Sequence, residues 1–348
     1  MTATYSVERL SLKATRRALL RRAGAAAAAS GLLMFGATAA QGAESTQITL
    51  ATGYPESSFH VVNLHRFAKA LEQASGGKLQ LKIHAGGSLI KAADIRGALE
   101  QGTVDAAELF GPSLGQWHPS LSIDALPFVA TDYPAAQKLA NAARAHVRAQ
   151  LENRGYILLY SVSWPPQGLF TNVLIESLAD FHNLRIRENS PPVKRVVELL
   201  GGTPVRVETP ELAAAVQNKK IDAVFTSAAQ GVDTQIWRQL PYFYTADAWL
   251  PRNVVILRKK IFDALPPEQR ELLMSNAATA EVSGQKLSEE NAVSTLDQLR
   301  RVGVKVDSLT PVVRRKVNRI GETLVREQAA AQKNADMLNI LMAYYSSK

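Results

Sequence analysis

Arg187 closes the run Leu184-Arg185-Ile186-Arg187. A guanidinium at a strand end can grip a carboxylate through two parallel N–H bonds, which fix orientation as well as supply charge. The same side chain on an ordinary surface would only make a structural salt bridge, so its worth as an anchor depends on what surrounds it. A second candidate chemistry lies in Gly111-Pro112-Ser113-Leu114-Gly115, which matches the G-x-S-x-G nucleophile elbow of hydrolases. Asp124 and His146 follow it in the acid-then-histidine order. An elbow, however, needs a buried strand before the serine and a helix directly after it. Here Asp105 and Glu108 interrupt the preceding run, and Pro119 falls soon after, which argues against a serine nucleophile. The histidines at 60, 65, 84, 118, 146 and 182 show no metal-binding spacing. Cysteine is absent, so there is no thiolate nucleophile and no disulfide framework. No phosphate-binding glycine signature occurs either, and the residues nominate no cofactor and no metal.

The elements that must position Arg187 are legible around it. Leu178–Asp233 reads as strand, helix, strand, helix, strand, the rhythm of a parallel α/β unit. Ligands of open α/β sheets sit outside the carboxyl ends of the strands, close to helix N-termini. An earlier unit has the same order. A strand at Gln47–Ala51 is followed by a helix ending at Gly76-Gly77, a strand at Leu79–His84, a further helix to Gly102, and a strand from Val104. Two such units predict two lobes with a cleft between them. Tyr133–Asn153 predicts a helix, and the apolar Gly155–Tyr160 a buried central strand. Trp164-Pro-Pro-Gln-Gly-Leu-Phe-Thr-Asn172 predicts a loop carrying the first crossover between lobes. Asn253–Leu257 is the return crossover strand. Pro267–Arg301 predicts a long helix, with Leu272, Leu273, Ala277 and Val282 on its apolar side, and Pro311–Tyr345 is mostly helical.

The formal net charge of +9 overstates the basicity of the folded part. Up to Ala43 the chain is net +5, leaving +4 over the remaining three hundred residues, with no basic block interleaved with aromatics. Nucleic-acid binding therefore has little support. Residues 1–43 read as an export leader: Arg16-Arg17 and flanking bases, an apolar small-residue run from Ala23, and small residues at Ala37–Ala40. The arginine pair is twin-arginine-like, with a general secretory signal as the alternative. No later stretch reaches the about 20 apolar residues of a membrane span.

The strings "SLADFHNLRIR", "ELLGGTPVRVETPELAAAVQNKKIDAV", "GGKLQLKIHAGGSL" and "LPF", in this order behind an export leader, resemble the DctP-like family. These are the substrate-binding proteins of tripartite ATP-independent periplasmic (TRAP) transporters. The resemblance runs from about Ile48 to Pro267. It implies an α/β, type II-like, two-lobed periplasmic binding protein in which a long helix spans both lobes. The lobes would comprise residues 44–165 with 253–290, and 166–252 with 291–348. It implies capture of an organic acid by carboxylate pairing with Arg187, lobe closure, and delivery to integral-membrane subunits, without catalysis and without nucleic acid. A periplasmic sensor feeding a membrane receptor would need the same surfaces, and the hydrolase reading through Ser113 is the distant alternative.

Two departures from the family pattern bear on the ligand. Gln167 and Phe170 stand where many members carry an arginine, and Thr226 and Ser227 stand where others have an asparagine. Fewer charges and more hydroxyls point to one carboxylate rather than two. Aromatic residues point to an apolar or aromatic tail. The expected ligand-binding set is Arg187, Gln167, Trp164, Phe170, Asn172, Thr226, Ser227, Trp249, Phe59 and Phe110.

Overall fold

A short apolar strand followed by an amphipathic helix can bury its faces only by stacking strands edge to edge with helices above and below. The computed structural model, which describes residues 45–330 and 335–346, shows the chain doing this twice. The leader expected over residues 1–43 lies outside the described residues. The first part runs β1 (Thr46–Thr52), α1 (Phe59–Ala74), β2 (Leu79–His84), α2 (Ile95–Gln101), β3 (Ala106–Phe110), α3 (Tyr133–Glu152) and β4 (Tyr156–Ser163). The second runs β5 (Gln167–Thr171), β6 (Arg185–Glu188), α4 (Pro191–Leu200), β7 (Thr203–Arg206), α5 (Leu212–Gln217), β8 (Ala223–Ser227), α6 (Ala228–Asp233) and β9 (Tyr242–Thr245). The chain returns through β10 (Arg252–Arg258), α7 (Lys259–Ala264), α8 (Pro267–Arg301), β11 (Lys305–Ser308), α9 (Pro311–Ala330) and α10 (Ala335–Ser346).

The sheets have the orders β2-β1-β3-β10-β4 and β11-β9-β5-β8-β6-β7. In each, three parallel strands take the order second-first-third, and the antiparallel strand that follows adjoins a crossover between the sheets: β10 beside β3, β5 beside β8. The expected duplication is thus present down to strand order. The chain passes from β4 in one sheet to β5 in the other through Trp164–Pro166, and returns from β9 to β10. These crossovers are bonded to each other, with the N–H of Trp164 donating to the Pro251 carbonyl at 2.7 Å and that of Gln167 to the Trp249 carbonyl at 2.9 Å.

One core joins α1 and the first sheet (Ile48, Leu64, Phe67, Leu71, Val162) to Leu273, Ala277 and Ala280 of α8. Another joins α4 and the second sheet (Ile186, Val193, Val197, Phe225) to Val313, Val317 and Ile320 of α9. α8 packs on α1 and β4 and, further along, on α6 and β11, so the long helix contacts both lobes. α10 packs on α3, burying Met337, Ile340 and Leu341 against Ile123, Leu126 and Leu139.

Two local expectations need correction, and two short strands were not anticipated. Gln167–Thr171 is not loop but β5, inside the second sheet. Gly168 is there because a Cβ would lie 2.3 Å from Phe243 Cζ, a close approach rather than a turn. β9 and β11, each of four residues, lacked a long enough run to be seen as strands. Val282, expected on the apolar side of α8, is 73% exposed. That helix packs through Ala277, Ala280, Gly284 and Ser288 instead.

Candidate functional site

The carboxyl ends of β1, β3, β6 and β8 meet at one place, as the rule for open α/β sheets requires. A cavity of about 360 Å³ lies there, lined from the first lobe by Tyr54, Glu108, Phe110 and Ser113 and from the second by Thr209 and Gln230. This is the size of a small-molecule site.

On the second lobe, Arg187 is only 3% exposed. Its Nε donates to the Val207 carbonyl at 2.9 Å and its Nη2 to Thr209 Oγ1 at 3.0 Å, so it stands one hydrogen bond behind the cavity lining. Burial pushes its pKa down to about 10, partly offset by the Glu208 carboxylate and Tyr54. It therefore remains a cation at neutral pH. No carboxylate lies within ion-pair distance of it among the described residues. The nearby Glu188 and Glu208 are both engaged by Arg206, at 3.1 and 2.6 Å. A buried cation without a counter-ion is costly, and an anion entering the cavity would relieve that cost.

On the first lobe, polar side chains are tied together under the cavity. Asn253 Oδ1 accepts from Trp164 Nε1 at 2.8 Å and from the Tyr54 hydroxyl at 3.2 Å. Glu108 Oε2 accepts from Thr52 Oγ1 at 2.8 Å, and its Oε1 lies 3.1 Å from His60 Nδ1. Burial and the Glu108 carboxylate push the Tyr54 hydroxyl's pKa well up, while Arg187 pulls it down, so Tyr54 stays a donor and lies within the field of both charges. The His60 ring is packed by Phe59, Trp164 and Tyr54. Asn253 Nδ2 and His60 Nε2 are buried without a protein partner.

Of the expected residues, Phe110 lines the cavity and Arg187 stands directly behind it. Trp164 and Phe59 are buried in the first-lobe cluster beneath Tyr54. Ser227 caps α6, its Oγ accepting from the Gln230 N–H at 3.1 Å, and so holds a lining residue in place. Thr226 is buried opposite Gly168 in the sheet. Gln167 turns back on its own crossover, donating from Nε2 to the Pro165 carbonyl at 2.8 Å. Three others lie apart from the cavity lining. Phe170 packs against Phe243 in a core beneath α6. Trp249 packs against Phe225 within the second lobe. Asn172 is exposed and bonded to Asp222, at the opposite end of β8 from the cavity. Tyr54, Glu108, Thr209, Gln230 and Asn253 had escaped notice. The carboxyl-end rule that singled out Arg187 would have reached Tyr54 and Glu108 if applied to β1 and β3.

Ser113 does not form a nucleophile elbow. Gly111–Gln116 is a 3₁₀ turn, and the Ser113 hydroxyl donates to the Phe110 carbonyl at 2.7 Å; no histidine hydrogen-bonds it among the described residues. Among those residues no group of histidine and acidic side chains could hold a metal ion, and no helix is long and apolar enough to cross a membrane.

Residues 50–332 match the model of bacterial extracellular solute-binding protein family 7 (DctP). The 2,3-diketo-L-gulonate-binding periplasmic protein YiaO of Escherichia coli is 25% identical over 285 residues, covering 80% of this chain and 84% of that protein. The crystal structure of DctP6, an extracytoplasmic solute receptor of Bordetella pertussis binding pyroglutamic acid, matches with a TM-score of 0.82 and 35% identity. The alignment covers 87% of this chain and all of the receptor, 100%. A marine metagenome TRAP solute-binding protein from an unidentified microbe, in complex with co-purified pyroglutamate, matches with a TM-score of 0.83 and 31% identity. It too is covered over 87% of this chain and 100% of that one.

Proposed function

The chain belongs to the DctP family of periplasmic TRAP-transporter solute-binding proteins, which capture organic acids and are not enzymes, and from that premise we propose that its ligand is a small acid with a single carboxylate. The observation that carries this is Arg187, a buried guanidinium with no carboxylate in ion-pair distance among the described residues, one hydrogen bond from a cavity shared by both lobes. Arg187 is the buried cation at the site and suits one carboxylate; the half-buried Arg96 also lines the cavity from the first lobe, along with the carboxylates of Glu108 and, from the second lobe, Glu208. Pyroglutamate is the first candidate, because the two related receptors of 35% and 31% identity bind it. The aromatic tail expected from composition finds less support. Phe170 and Trp249 pack in the second-lobe core, and only Phe110 among the expected aromatics borders the cavity.

Closure turns on the paired crossovers, Trp164–Pro166 and the stretch before Arg252, with residues 44–165 and 253–290 moving against 166–252 and 291–348. α10 is the exception within 291–348: its packing on α3 ties it to the first body. A ligand favours the closed form only by its differential affinity for it. The closed protein hands the acid to integral-membrane subunits. The paired arginines at Arg16-Arg17 support export by the twin-arginine route.

Native mass spectrometry of the purified protein should show a co-purified acid, and titration calorimetry should measure it. Arg187→Ala should weaken binding by about 2–5 kcal/mol, and Arg187→Lys should restore only part of that, because the fork geometry is lost. Affinity unchanged in both variants would remove the assignment.

A further inference from the structure

An acid-binding cavity has an unexpected wall: Glu108 is 3% exposed yet lines it. A carboxylate so placed repels the proposed ligand's charge unless it has something else to receive. Each Glu108 oxygen has one protein contact, Thr52 Oγ1 at 2.8 Å and His60 Nδ1 at 3.1 Å. A carboxylate offers about four acceptor sites, so about two stay free. In the sheet Glu108 pairs with Val255 of β10 and Phe110 pairs with Asn253, which makes Glu108 and Asn253 diagonal neighbours on one sheet face. Asn253 spends its Oδ1 on Tyr54 and Trp164, while its Nδ2 is a buried donor with no protein partner. A spare acceptor therefore stands on the first-lobe wall of the cavity, with the buried Asn253 amide behind that wall and Arg187 in the second lobe.

We infer that Glu108 is a specificity-determining residue that accepts an N–H from the ligand at the end remote from Arg187, and that its charge, together with that of Glu208 on the same lining, disfavours a second carboxylate. This rests on the Arg187 reading, which orients the acid. The ligand class it selects is a carboxylate bearing a neutral N–H, as in a lactam ring. An unpaired acceptor left buried is costly, and like charges brought together cost more, so the site discriminates against both a donor-less ring and a diacid.

Titration calorimetry on the wild-type protein with pyroglutamate, its ring-oxygen lactone analogue and glutarate tests this without any mutation. Replacing the ring N–H by oxygen should cost roughly 10- to 100-fold in affinity, and glutarate should bind no better than the lactone. Glu108→Gln, checked for folding by its melting curve, should narrow the gap between pyroglutamate and glutarate at least about tenfold, a ratio that a merely structural defect would leave alone. Lactam and lactone binding alike, with the glutarate ratio unmoved in Glu108→Gln, overturns the Glu108 role while leaving the arginine reading intact if Arg187→Ala still abolishes binding. Binding of none of the three acids overturns both.

Discussion

Asn253 receives two buried donors on one oxygen, the Trp164 indole and the Tyr54 hydroxyl. Removing a shared acceptor leaves both donors desolvated and unpaired, which costs more than the bonds themselves contribute. Asn253→Ala should destabilise the protein by about 2–4 kcal/mol in urea denaturation, and Tyr54→Phe in that background should recover part of it by removing one orphan. A loss below about 0.5 kcal/mol would mean that water satisfies both donors. At this scale Arg187 was legible because the resemblance to a carboxylate-binding family falls on it at a strand's carboxyl end; the local sequence alone fitted a structural salt bridge as well. The first-lobe partners were not. Tyr54, Glu108 and Asn253 are widely separated in sequence, and only the antiparallel insertion of β10 beside β3 brings the last two onto one face.

Among the elements, α8 separates what periodicity reveals from what it hides. Its limits were readable from Pro267 and an unbroken helical run, and its buried face at Leu273 and Ala277, but beyond Ala277 periodicity pointed to Val282 while the contact is made by the small Ala280, Gly284 and Ser288. Gly284 stands where α8 crosses α1 and β4. A Cβ there would lie 2.4 Å from Val162 Cγ2 and 2.7 Å from Asn63 Nδ2. Neither neighbour gives way easily. Val162 is β-branched, and the Asn63 amide is tethered to the Ala280 carbonyl at 2.9 Å. Alanine improves helix propensity by about 1 kcal/mol, while overpacking costs about 1–3 kcal/mol, so overpacking wins. Gly284→Ala should lower the melting temperature by a few degrees; a rise would show that α8 floats rather than locks on α1. The strand β5 was misread for a related reason, since Gly168 marks close approach by Phe243 and was taken for a turn.

For the molecule as a whole, the repeated strand order was legible from two α/β units of matching rhythm, whereas the network under the return crossover was not, because its members come from four separate elements. Asp124 Oδ2 accepts from the Arg252 N–H at 2.7 Å where the second crossover enters β10, and its Oδ1 is buried without a partner. Arg252 faces it from β10; Arg252 in turn feels Glu281 of α8 and Arg144 of α3, and Glu281 is itself paired with Arg144 and hydrogen-bonded to the Ser161 N–H at 3.0 Å. Burial raises the Asp124 pKa from 3.8 to about 7, against the pull of Arg252. The folded chain thus holds this proton more tightly than the unfolded chain. Its contribution to stability is present in full below about pH 4, falls as pH rises toward 7, and is constant above that. Asp124→Asn keeps an oxygen for the Arg252 N–H and removes the charge, while Glu281 remains to balance Arg252. The stability difference between variant and wild type, taken from melting curves, should therefore be near zero at pH 4 and grow to favour the variant by on the order of 2 kcal/mol at pH 8. A variant less stable at every pH, with no slope between them, would mean instead that Asp124 is held as an ion by Arg252 and that the crossover depends on that charge.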